Sequence, residues 1–157
     1  MIPPRVNIDL VRERIGAYAE QDYTQEERFA IYKELIGFVP PRIEARINVT
    51  GALDPKLLEL QEQMRAHAMY PKCFDVKTSQ LMLFGMLMMD LNDAAPLHAI
   101  AARRAGATWE ELQATIGLAF LFRGLSAANR GAEILANIAK READEEATAK
   151  AGANTVN

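Results

Sequence analysis

The sequence predicts an all-α chain that assembles as an oligomer, and three observations lead there. Half of the 157 residues are hydrophobic, with Ala, Leu and Met prominent, few aromatics, and no segment alternating Val, Ile and Thr as strands do. Two capping-box patterns, Thr24 with Glu27 and Thr108 with Glu111, each precede a stretch of helical periodicity. The run Leu81 to Met89 is apolar on all sides, so a chain this small covers it only partly and a subunit interface is expected to cover the rest.

In chain order, Ile8 to Glu20 has helical spacing with a Gly inside it, and the box at Thr24 opens a helix through Phe29, Ile31, Leu35 and Ile36. Pro40-Pro41 stops that helix, and Asn48 to Gly51 reads as loop. Asp54-Pro55 is an N-cap followed by proline at the first helical position, opening a helix to about His67 that Tyr70-Pro71 ends. Asp75 caps a helix of about sixteen residues containing Leu81, Leu83, Phe84, Leu87, Met88 and Leu91. A short helix from about Ala94 to Ala105 closes at Gly106, a residue suited to the left-handed position after a helix end. The box at Thr108 starts a helix up to Gly124, and Ser126 starts the last, through Ile134, Leu135 and Ile138. From Glu142 to Asn157 the apolar pattern is lost and a frayed or disordered tail is expected.

A net charge of −3 with interspersed signs gives no basic patch, so no nucleic-acid partner is expected. The single cysteine, Cys73, excludes an intramolecular disulfide and fits a reducing compartment. Met1-Ile2-Pro3-Pro4-Arg5 leads into charged sequence and does not read as a signal peptide, so a cytoplasmic location is expected. No apolar run approaches the ~20 residues of a membrane span, so no membrane partner is expected. His67 and His98 lie far apart without a third clustered ligand, so no metal is expected.

The stretch His98-Ala-Ile-Ala-Ala-Arg-Arg-Ala-Gly106-Ala-Thr108-Trp-Glu-Glu-Leu112, then Gly124-Leu125-Ser126-Ala127-Ala128-Asn129, resembles the carboxymuconolactone decarboxylase and AhpD-like superfamily. Asp75-Val-Lys-Thr-Ser-Gln-Leu81 is similar to the opening of that family's preceding helix. The resemblance implies a helical domain over residues 51–141, an N-terminal helical extension over 1–50 packing on it, and the tail over 142–157. It also implies a bundle of about six helices per subunit, a homotrimer or homohexamer, and pockets between helices. The peroxidase branch of the family carries two cysteines just ahead of the histidine. Here those positions fall at about Leu91 and Ala94, and disulfide exchange needs two thiols, so thiol peroxidase chemistry is excluded. The decarboxylase branch keeps an acidic residue where this chain has Ser79 or Gln80, and a second histidine at about Gly117.

The candidate catalytic residues are His98 and Gln80. His98 sits on a helix whose Ala101, Ala102 and Ala105 form a small-residue face, and it either protonates a carbanion and steadies an enolate or is a core histidine bonded to a carbonyl. Gln80 shares a stripe with Phe84, Leu87 and Leu91, so its amide is expected to be buried, orienting a substrate carbonyl or His98 itself, or capping the interface. The candidate substrate-binding residues are Arg123, Arg130, Ser79 and Asp93. Either arginine would hold a carboxylate through a forked pair of hydrogen bonds, although Arg123 also suits a helix C-terminus on electrostatic grounds alone. Asp93 either reaches His98 or caps the short helix. Arg103 and Arg104 are expected to be solvated, and the methionines at 82, 86, 88 and 89 to fill core. The function expected from the resemblance is cofactor-independent decarboxylation of a small carboxylated lactone or related oxo acid. The alternatives are an isomerase or hydrolase of a related lactone, or a non-catalytic ligand-binding or scaffold oligomer on the same fold.

Overall fold

The computed structural model describes residues 4–154. Among them are eight helices and no strand: α1 Ile8–Arg14, α2 Gln25–Ile36, α3 Pro41–Leu53, α4 Pro55–Met69, α5 Val76–Met89, α6 Ala95–Arg104, α7 Trp109–Arg123 and α8 Leu125–Asn154. The chain is all-α. It forms two compact units, one ending at Ser79 and the other beginning at Gln80, so the division falls inside α5.

In the first unit α1 stops sooner than Glu20. Ile15 is its C-cap, and Gly16 takes φ +132°, a left-handed value that L side chains rarely adopt. The segment beyond Gly16 then turns back so that Ala19 N–H donates to the Gly51 carbonyl at 3.0 Å. Both halves of the capping box at Thr24 and Glu27 form, and α2 ends on Gly37 at φ +91°.

Asn48 to Gly51 is not loop but the interior of α3. Proline at Pro41 occupies the first turn, where its missing N–H costs nothing. Asn48 is buried, donating through Nδ2 to the Glu44 carbonyl at 2.8 Å and accepting from Gln25 Nε2 at 2.6 Å. A Cβ on Gly51 would lie 2.5 Å from the Tyr18 ring, so glycine serves close packing there. Asp54 caps α4 as its position suggests, accepting from Leu57 N at 2.9 Å.

The core of this unit contains Tyr32, Ile36, Ile47 and Leu58 together with a polar cluster. Tyr32 Oη donates to the buried Glu62 carboxylate, 2.9 Å from Oε1 and 3.0 Å from Oε2, and accepts from Arg46 Nη2 at 3.0 Å. Arg46 also pairs directly with Glu62 and donates to Gln61 Oε1 at 3.0 Å. The Arg65 guanidinium lies 4.3 Å from the Tyr32 ring centre. Burial above all pushes the Tyr32 hydroxyl up to about 12, with the Glu62 carboxylate adding to the rise.

In the second unit α5 is covered within the chain on one side only. Gln80, Phe84 and Met88, four residues apart, are buried, whereas Met82, Met86 and Met89 are exposed, so these three do not fill the core of the chain. Asp75 Oδ1 accepts from Thr78 N at 2.7 Å at the start of α5. Leu91, just past its end, adopts φ +50°. Asp93 does not cap the next helix: the N-cap position is Ala94, which makes no side-chain cap, and Asn92 Oδ1 accepts from Ala94 N at 2.9 Å.

The capping box at Thr108 and Glu111 forms, and α7 ends at Gly124. Along α8 the buried residues Ala127, Gly131, Ile134 and Ile138 follow spacings of four, seven and eleven. Gly131 permits the approach to α7, since a Cβ there would lie 2.6 Å from Ile116 Cδ1.

The expected disorder from Glu142 is corrected by helix through Asn154; residues 155–157 of that tail lie outside the described residues. Ala-rich sequence favours the helix, and the pairs Lys140 with Asp144 and Arg141 with Glu145 sit one turn apart along it. Arg103 is likewise not simply solvated. It makes two 2.9 Å bonds to the Glu142 carboxylate, donates to the Ala107 carbonyl at 2.6 Å, and lies 4.1 Å from the Trp109 ring centre.

Candidate functional site

The helical repeat places Gln80 on the inward stripe of α5, and its side chain is 0% exposed. His98, in the first turns of α6, is half-buried, and its Nδ1 lies 2.8 Å from Gln80 Oε1. An amide oxygen only accepts, so with Oε1 toward the ring the proton sits on Nδ1 and the lone pair of the neutral imidazole is on Nε2. A neighbour eighteen residues away thereby selects the tautomer.

Gln80 Nε2 is buried and has no hydrogen-bond partner among the described residues. An unpaired buried donor costs about 1–3 kcal/mol, a penalty that the carbonyl or carboxylate oxygen of a ligand would relieve. Ser79 Oγ is also buried and, among the described residues, without a partner. Consecutive helical residues project about 100° apart, so the hydroxyl and the amide do not point the same way.

The remaining candidates are arranged differently. Asp93 and Arg130 meet each other at 3.8 Å, and Arg130 also donates to Glu133 at 2.8 Å. Two carboxylates therefore already engage the Arg130 guanidinium. Arg123 is exposed at the last position of α7, before Gly124, and makes no hydrogen bond or ion pair with the described residues. Of the six candidates, two pairs come together: His98 with Gln80, and Asp93 with Arg130. Cys73 is exposed. Among the described residues no three His, Cys, Asp or Glu side chains are placed to hold a metal, and no helix is long and apolar enough to cross a membrane.

Sequence reasoning missed the polar cluster of the first unit. Its signal is present in α4, where Leu58, Glu62 and Arg65 share a face at spacings of four and seven, setting charge in an otherwise inward stripe. It also missed Arg28, which is 3% exposed and bonds to Tyr18 Oη at 2.8 Å and Gln21 Oε1 at 3.0 Å. Both groups hold helices and loops of their unit in place. Comparison with protein-family models, curated proteins and solved structures finds no match to this chain.

Proposed function

We propose that the chain is a cofactor-independent decarboxylase of a small carboxylated lactone or related oxo acid, with His98 as proton donor and Gln80 as the group that positions it. The observation that carries this reading is the His98–Gln80 pair with a buried amide donor to spare. The substrate class rests on the likeness of the stretch from His98 to Asn129 to the carboxymuconolactone decarboxylase family, and so does the expected homotrimer or homohexamer; the expected cytoplasmic location rests on the single cysteine and the charged N-terminal sequence. In such a reaction the bond from ring carbon to carboxylate breaks and carbon dioxide leaves. The electron pair enters the conjugated carbonyl, giving an enolate that is then protonated at carbon.

The protein has two tasks in that scheme. A donor must steady the enolate oxygen, for which Gln80 Nε2 is suited, and an acid must supply the proton, for which the imidazolium of His98 is suited. Gln80 is neutral and takes no part as a base. Arg123 remains the candidate anchor for a substrate carboxylate, since Arg130 already engages Asp93 and Glu133.

The test is incubation of the purified protein with γ-carboxymuconolactone, following the ultraviolet spectrum and product masses, with His98→Ala alongside. Wild-type loss of carbon dioxide is expected, with turnover falling by about 10²–10⁴ in the variant at unchanged helicity. A product of unchanged mass, or one heavier by a water, would move the reading to isomerase or hydrolase. No turnover of this or a panel of related lactones and oxo acids by folded protein rejects an enzyme and leaves ligand binding.

A further inference from the structure

His98 rides on α6, a short helix that is held unevenly. The hydrophobic residues it buries are Ala95, Ala99, Ile100, Ala101 and Ala102. Four of the five carry a single methyl group, and such a smooth face sets how closely a neighbour approaches better than it sets slide or roll along the contact. At the N-terminal end the helix has no side-chain N-cap, and Asp93 just before it lies 3.8 Å from Arg130. The C-terminal end is fastened by directional bonds. Arg103 donates through Nε and Nη2 to the two oxygens of Glu142 on α8, each at 2.9 Å, and through Nη1 to the Ala107 carbonyl at 2.6 Å. Its guanidinium also lies 4.1 Å from the ring centre of Trp109, at the start of α7. A planar group bonded along two edges and stacked on a ring is fixed in position and in rotation together.

We propose that Arg103 and Glu142 are positioning residues for His98: their paired bonds set the slide and roll of α6 and so hold the imidazole on Gln80. Arg103 follows His98 by five residues, about 7.5 Å along the axis and roughly 140° around it. The one faces α8 and the other α5, so α6 is registered between them. A slide of about 1.5 Å, the rise of one residue, is half the length of the 2.8 Å bond between His98 Nδ1 and Gln80 Oε1, and breaks or tilts it. The consequence for turnover rests on the decarboxylase reading; the bond itself does not.

Nitrogen-15 NMR of the full chain labelled at histidine reads the bond without any substrate. The resonances of His98 are identified by their loss in His98→Ala. In wild type the Nδ1 proton, held by the buried amide oxygen, is expected as a resolved downfield signal that exchanges slowly with water. Arg103→Met keeps an unbranched side chain and removes its directional bonds, while Glu142→Ala removes the partner. Each is expected to speed that exchange at least tenfold, or to lose the signal, at unchanged far-ultraviolet circular dichroism. Glu145→Ala breaks the neighbouring pair with Arg141 on α8 and is expected to leave the signal in place. Should Arg103→Met lose helicity, Glu142→Ala decides alone. A signal that outlasts the loss of Arg103 or Glu142, one missing from wild type, or one lost equally in Glu145→Ala overturns the proposal. Where wild type turns over the lactone, both variants should lower kcat on the order of a hundredfold, the cost of a misplacement of about 1 Å. Absence of turnover in wild type rejects the decarboxylase and leaves the NMR comparison to decide the positioning role.

Discussion

The two units each bury a polar centre, and they complete it differently. Around Tyr32 in the first, the phenol donates to Glu62, Arg46 bonds to both of them and to Gln61, and Arg65 covers the ring. Around Gln80 in the second, one atom of the amide is paired and the other has no partner among the described residues. A buried network whose members satisfy one another fixes the packing of α2, α3 and α4 and needs no ligand. A buried donor left over keeps a free-energy cost that only a further acceptor removes. The contrast separates a polar core whose members satisfy one another from a pair in which one buried donor is left unmatched.

The largest effect is expected from breaking the complete centre. Glu62→Met leaves the Tyr32 hydroxyl and the Arg46 guanidinium without their carboxylate. Removing one partner of a buried ion pair costs about 3–5 kcal/mol, and the part exposure of Arg46 places this case at about 3 kcal/mol. Urea unfolding measures it, and a loss below about 1 kcal/mol would mean the network does not hold the first unit together.

Next comes alkaline pH. The Tyr32 hydroxyl is raised from 10.0 to about 12 in the folded chain, so between those values the unfolded state has lost its proton while the native state keeps it. Stability from this group is complete below pH 10 and is lost as pH rises through 12, by on the order of 2 kcal/mol. Tyr32→Phe should flatten that limb of the curve of stability against pH. An unaltered slope would assign the loss to other groups.

How much of this is legible in the sequence depends on where the deciding partner lies. The boxes at Thr24 and Thr108 and the cap at Asp54 are legible because donor and acceptor are three residues apart. α3 is not, because Pro40-Pro41 and Asn48 to Gly51 carry the composition of turns. The helical roles of Asn48 and Gly51 are set by Gln25 and Tyr18, more than twenty residues earlier. The helicity past Glu142 likewise draws on Arg103, thirty-nine residues away. For the site, the spacing of Gln80 from Phe84 gives its burial, and orienting His98 is one of the roles open to a buried amide there. The pairing of Asp93 with Arg130 has no such signal, since neither spacing nor periodicity relates α8 to the turn before α6.

The smallest change in stability, and the one that bears most on the site, is expected from Gln80→Met. Methionine is close to glutamine in shape, so it removes the unpaired donor and the bond to His98 together, and these two effects oppose each other. The net change should stay within about 1 kcal/mol, against about 3 for the same kind of replacement at Glu62. Turnover should fall, because the His98 ring is no longer held in place by the Gln80 oxygen and the enolate oxygen has lost its donor. Gln80→Glu supplies a readout that a purely structural amide would not give. A carboxylate beside the imidazole favours its charged form, so the alkaline limb of the pH–rate profile should move to higher pH. If Gln80→Met instead unfolds as readily as Glu62→Met while Gln80→Glu leaves the profile in place, Gln80 belongs with Glu62 among the groups that only hold helices together.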